Sequence, residues 1–154
     1  MIDTPQIVQW DRQLTAAVHL TIPRNGIQQA FGPAVAELLG VLGAQGQAPA
    51  GPLLSYHVNM PREVFDFDIA FPVAQEIEPS GRVVGSEVPA FKVARAVYRG
   101  PMEGLGSAWG ELREWVAANG HAAQHQMFER YLVGPGDTPD PAAWQTELNW
   151  PVED

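Results

Sequence analysis

Two regions of the chain carry apolar residues at helical spacing, and apolar runs of a different period flank both. In "QQAFGPAVAELLGVLGAQG", Phe31, Val35, Leu38, Leu39 and Leu42 recur every three or four positions, which predicts an amphipathic helix. In "EGLGSAWGELREWVAANG", Leu105, Trp109, Leu112, Trp115 and Val116 do the same. Each region stops at a glycine, Gly46 or Gly120, suited to the left-handed residue that caps a helix C-terminus. Strands are predicted around both. "QLTAAVHLTI" precedes the first helix, and "PLLSYHV" and "EVFDFDIAFPV" follow it; in the last, Phe65, Phe67, Ile69 and Phe71 alternate with Asp66, Asp68 and Ala70. "AFKVARAVY" precedes the second helix, and "HQMFERYLV" and "WQTELNWPV" follow it. An opening strand in "QIVQW" and a linker strand near "GRVVGSE" complete the set, with turns at "QGQAPAGP", "EPSG" and "GPGDTPDP".

The order strand, helix, strand, strand therefore occurs twice. A shift of 74 residues aligns Gly26 with Gly100, Ala34 with Ala108, Glu37 with Glu111, Leu38 with Leu112 and Gly46 with Gly120. The repeat, roughly residues 13–73 and 88–152, predicts an α+β fold of duplicated β-α-β-β modules. Helices would cover one face of antiparallel sheet, the halves would meet about a pseudo-twofold axis, and a crevice between them is a natural ligand groove. The whole length, 1–154, fits one domain.

Charge narrows the partners. A formal net charge of −9, with a single lysine at Lys92, argues against a sequence-independent grip on a nucleic-acid backbone, which needs clustered cations. The acidic balance favours cationic ligands only weakly. The chain has no cysteine, which excludes disulfides, thiolate metal sites and cysteine nucleophiles. The start lacks the basic end and apolar run of a signal peptide, and the longest apolar region, Ala34 to Ala44, is interrupted by Glu37 and too short to span a bilayer. These features predict a cytoplasmic protein without a membrane partner.

One stretch stands out chemically. In "MFERYL", strand alternation sends Met127, Glu129 and Tyr131 to one face and Phe128, Arg130 and Leu132 to the other. A carboxylate between a thioether and a phenol is costly to bury alone. Glu129 is a carboxylate on a wet surface, half of an internal ion pair with Arg95, Arg99 or Arg113, or a site awaiting a cation. His121 and His125 are separated by the helix stop at Asn119-Gly120 and lack a third ligand, so no metal is expected. Neither a phosphate-binding loop nor a Gly-x-Ser-x-Gly elbow is present, and no cofactor is implied.

The segments "VARAVYRGPMEGLGSAWGELREWVAANG", "FERYLVGPGDTP" and "WQTELNWPV" together resemble the GyrI-like, or AraC-type effector-binding, domain family, over essentially the whole chain. The resemblance implies a pair of β-α-β-β modules with a groove for lipophilic, often cationic molecules. It implies that Glu129, the glutamate of Glu-x-Tyr, lies at the floor of an aromatic pocket and faces the ligand's positive charge. The family commonly has a tyrosine where this chain has Asn149, which removes one aromatic wall and one phenolic group, and an aromatic where it has Met102, a softer and more adaptable wall.

Further candidates follow from position. Tyr131 shares the face of Glu129 and can donate to it or stack on a ligand, and Met127 flanks it. Tyr56, placed by the repeat near the position of Tyr131, would line the opposite side of the groove, with Tyr98 a third tyrosine. Glu147 shares a face with Asn149 and is a possible second groove carboxylate, and Trp150 is either wall or packing. Trp109 and Trp115 are expected to pack the second helix on the sheet.

Three functions remain open at this level. The first is a stand-alone binding protein for hydrophobic, cationic or polar-aromatic small molecules, with no DNA-binding domain. The second is a hydrolase of cyclopropane-bearing electrophiles, as some stand-alone members of the resembled family are, in which Glu129 and Tyr131 would be catalytic. The third is an interaction protein that inhibits gyrase.

Overall fold

A computed structural model describes residues 2–23, 26–57, 64–134 and 137–153. It contains eight strands and two helices in the predicted order. They are β1 (Gln6–Trp10), β2 (Gln13–Pro23), α1 (Ile27–Ala44), β3 (Leu54–His57), β4 (Val64–Pro72), β5 (Val83–Val88), β6 (Phe91–Arg99), α2 (Leu105–Ala118), β7 (Met127–Val133) and β8 (Gln145–Pro151). A 3-10 turn, Met102–Gly104, leads into α2. The fold is α+β and every strand pair described is antiparallel.

The chain divides into two compact units. A central unit spans Asp11–Ala90, and a terminal unit joins Met1–Trp10 to Phe91–Asp154. In the central unit the strands run β5-β2-β4-β3, with α1 packed on one face. In the terminal unit they run β1-β6-β8-β7, with α2 on one face. Each unit has the same plan: the strand before the helix is flanked by the last strand of its module and by an added edge strand.

The helices form where the apolar period demands. In α1 the buried positions are Ala34, Leu38 and Leu42, one per turn. Leu39, also expected on that face, is 46% exposed, because the stripe is centred on the small Ala34 and points Leu39 away. Against it β2 presents Ala16, Val18 and Leu20, and β4 presents Phe67 and Ile69. In the terminal unit, Ala108, Trp109, Leu112 and Val116 of α2 pack on Ala94, Ala96 and Tyr98 of β6, Met127 of β7, and Leu148 and Trp150 of β8.

Both helices stop as predicted. Gly46 has φ 70° and Gly120 φ 76°. Around them Gln47 N donates to Leu42 O at 2.9 Å and His121 N to Val116 O at 3.0 Å, the long-range bond of a left-handed cap. Among the described residues no helix is long and apolar enough to cross a membrane.

Candidate functional site

The face of each strand is set by its pairing, and the terminal unit's sheet has two chemically different faces. Met127 of β7 lies in the core under α2, so Glu129 and Tyr131, two and four residues on, share that face. There the Trp109 indole Nε1 donates to Glu129 Oε2 at 2.6 Å, and the Tyr131 hydroxyl donates to Glu129 Oε1 at 2.9 Å. Each carboxylate oxygen thus receives a protein donor, the pattern of an ionised, acceptor-only group. Glu129 and Tyr131 are half-buried, while Met127 beneath them is 4% exposed. Trp109 is the residue sequence reasoning missed. Its spacing with Leu112 marked it as core, which it is, but a buried indole also needs an acceptor for its N–H, and that requirement was the available signal.

Trp150 lies on the same face, 4% exposed, with its ring edge-on to Trp109 at 5.6 Å and its Nε1 donating to Gln124 O. It acts as packing behind Trp109. Tyr98 is 5% exposed and its hydroxyl donates to Pro101 O at 2.8 Å. That bond folds the Arg-Gly-Pro segment over the ring, and a β-carbon at Gly104 would collide with the phenol oxygen. Tyr98 is thus buried with its hydroxyl engaged by the backbone, and Met102 is half-buried in the turn that follows.

Glu147 and Asn149 do not join Glu129. Glu129 pairs with Leu148 on β8, and Leu148 faces α2, so its neighbours Glu147 and Asn149 point to the opposite face. Asn149 is fully buried there, its Oδ1 accepting from Arg95 Nε at 2.8 Å and its Nδ2 donating to Glu147 Oε1 at 3.0 Å. Glu147 also meets Arg130 Nη1 at 3.0 Å and Arg95 Nε at 3.2 Å. Arg95, one of the partners considered for Glu129, meets Glu147 on this face.

Tyr56, in the central unit, faces away from α1. On β3, Ser55 pairs with Ile69 and His57 stacks on Phe67 at 4.8 Å, so these two share the α1 face, while Tyr56 pairs with Asp68 on the other. A shift of 74 residues carries His57, not Tyr56, onto Tyr131; a slip of one residue reverses the face of a strand side chain. Burial, and then Asp68, raise the Tyr56 pKa above the ordinary phenol value. His57 is 5% exposed, and its Nδ1 has no hydrogen-bond partner among the described residues. Burial holds its pKa down to about 4, with the charge of Asp66 opposing, so the imidazole is neutral at pH 7.

Two shallow depressions lie within the units. One of about 430 Å³ is bounded by Ile2, Pro5, Glu111 and Trp115, and one of about 480 Å³ by Arg12, Thr15, Ile77 and Glu87; neither borders Glu129. Among the described residues no group of three or more His, Asp or Glu side chains is placed to hold a metal ion.

The order strand, helix, strand, strand thus occurs twice, each time around its own apolar core. The sequence matches the GyrI-like small molecule binding domain over residues 3–153, and the chain belongs to that family. The C-terminal domain of EcmrR superposes with a TM-score of 0.86 at 22% identity, covering 98% of this chain and 98% of that one. In the EcmrR–DNA complex the match has a TM-score of 0.85 at 21% identity, and the chain spans only 57% of that protein's length. SAV2435 bound to tetraphenylphosphonium gives a TM-score of 0.66 at 14% identity, with 98% and 94% of the two chains covered. A hydrolase from Listeria innocua gives 0.70 at 13% identity, with 97% and 91% covered. At these identities the likeness is one of fold. No functionally curated protein matches the sequence.

Proposed function

We propose that this GyrI-like domain binds lipophilic cations on the α2 face of its terminal unit, with Glu129 as the counter-charge and Trp109 and Tyr131 as aromatic walls. The observation that carries the proposal is the pair of neutral donors on Glu129, at 2.6 and 2.9 Å. They hold the carboxylate in one orientation on the half-buried strand, with a ring on either side. Each donor also brings a ring, and cation-π attraction adds roughly 0.5–2 kcal/mol per ring. The tetraphenylphosphonium held by SAV2435 is a ligand of this chemistry. Binding without transformation, in a sensing or sequestering role, is the function proposed.

Titration of tetraphenylphosphonium and of neutral triphenylphosphine oxide into the wild type and Glu129→Gln tests this by calorimetry. The cation should bind the wild type at least tenfold more tightly than the variant, and the neutral probe should bind both alike. Equal cation affinity for the two proteins would remove Glu129 from the role. Mass spectrometry of the recovered ligand should return it intact.

A further inference from the structure

We propose a second, anion-selective site on the face of the terminal unit's sheet turned away from α2, where Arg130, Arg95 and Trp10 receive a small aromatic carboxylate. Acidic residues outnumber basic ones by 18 to 9 in this chain, yet here two guanidinium groups share the single carboxylate of Glu147. Burial lowers the Arg95 pKa, Glu147 opposes the shift and Arg130 adds to it, which is the response of a cation with incomplete compensation.

The hydrogen bonds show where the deficit lies. Both bonds from Arg130 to Glu147 leave from Nη1, at 3.0 and 3.2 Å. Arg130 Nε is buried and has no acceptor among the described residues, and the same holds for Trp10 Nε1. The Arg130 guanidinium carbon is 5.5 Å from the centre of the Trp10 ring, so the two unmet donors lie in one small region. A buried N–H without an acceptor costs roughly 1–3 kcal/mol and calls for a partner.

Elsewhere in this chain the same edge of an arginine is filled. Arg12 grips Glu87 through Nε and Nη2 at 2.7 and 3.1 Å, and Arg82 uses Nε and Nη2 on Glu37. The Nε edge of a guanidinium is the planar fork that matches a carboxylate. At Arg130 the guanidinium lies over the Trp10 ring instead, and Trp10 is one of a chain of rings, 4.8 Å from Phe128, which is in turn 6.5 Å from Phe91. A carboxylate carrying an aromatic ring satisfies both features. Solvent already reaches the arginines, whose side chains are 28% and 22% exposed. The Trp10 indole, at the end of edge strand β1, must turn aside to admit the ligand, and its own N–H gains an acceptor in doing so.

Calorimetric titration with 1-naphthoate and its uncharged isostere 1-naphthamide tests the site, using the wild type, Arg130→Lys, Trp10→Phe and Glu129→Gln. The naphthoate should bind the wild type and Glu129→Gln equally, and the naphthamide at least tenfold more weakly. Arg130→Lys keeps the charge but loses the fork and should weaken naphthoate binding about tenfold or more; Trp10→Phe should weaken it several-fold. Circular dichroism verifies that each variant is folded, and if Arg130→Lys is not, the naphthamide comparison and Trp10→Phe decide. Equal binding of acid and amide, or naphthoate affinity unchanged by the Arg130 and Trp10 substitutions, would show a packing network whose donors are met by water. Loss of naphthoate binding in Glu129→Gln would also overturn the assignment.

Discussion

Replacing His57 by phenylalanine should remove an acid sensitivity built into the central unit. His57 is stacked on Phe67 and edge-on to Phe65 at 6.0 Å, an environment that accepts a neutral ring and resists a charged one. Its native pKa of about 4 lies below the ordinary 6.5. As pH falls through 6.5 the unfolded chain binds a proton that the folded one refuses, so the stability His57 contributes is complete above 6.5 and is lost on going down towards 4. At roughly 1.4 kcal/mol for each unit of difference, the full loss is about 3 kcal/mol, of which about 2 kcal/mol falls between pH 7 and pH 5. His19, bonded to Asp68 and Asp66, has the opposite sign: its raised pKa stabilises below 6.5 and that contribution fades as pH rises through the native value. His19 is exposed and common to both proteins, so it cancels in the comparison. Urea unfolding followed by circular dichroism at pH 7 and pH 5 gives the two free energies for wild type and variant. The wild type should lose about 2 kcal/mol more than His57→Phe over this interval; equal losses would refute the reasoning and mean that His57 charges in place.

Other substitutions read single contacts. Trp109→Phe keeps the ring in the α2 core but removes a bond to a charged acceptor, and should destabilise the protein by roughly 1.5–3 kcal/mol in the same urea assay. Gly104→Ala drives a methyl into the Tyr98 phenol and should cost roughly 1–3 kcal/mol; adding Tyr98→Phe, which deletes the clashing oxygen, should recover part of it. Gly106→Ala, two residues on and facing open space, should instead raise the midpoint of thermal unfolding through the helix preference of alanine, worth up to about 1 kcal/mol.

The element order was legible because both periods are strong. β1 coincides with "QIVQW", and the linker strand near "GRVVGSE" is β5. Position relative to the helices was harder. Tyr56 was paired with Tyr131 by an approximate repeat, and an error of one residue on a strand moves a side chain through the sheet. Glu147 and Asn149 were correctly placed on one face together, yet that face is the one opposite Glu129, because β8 meets β7 with Leu148 across from Glu129. No local pattern in "TELNW" states which partner residue will stand opposite.

By itself, the sequence determined the two amphipathic helices, their glycine stops, the strands around them and the grouping of Met127, Glu129 and Tyr131 on one face. Those follow from periods of 3.6 and 2 and from backbone geometry, which are local properties of a chain. Tertiary structure alone decided that Trp109, twenty positions before Glu129, supplies its second donor, and that Arg95 and Arg130 answer to Glu147 instead. Such partnerships depend on strand register and on how a helix docks over a sheet. They are set by the packing of the whole unit, so a carboxylate whose strand face can be read from six residues has partners that can be read only from the fold.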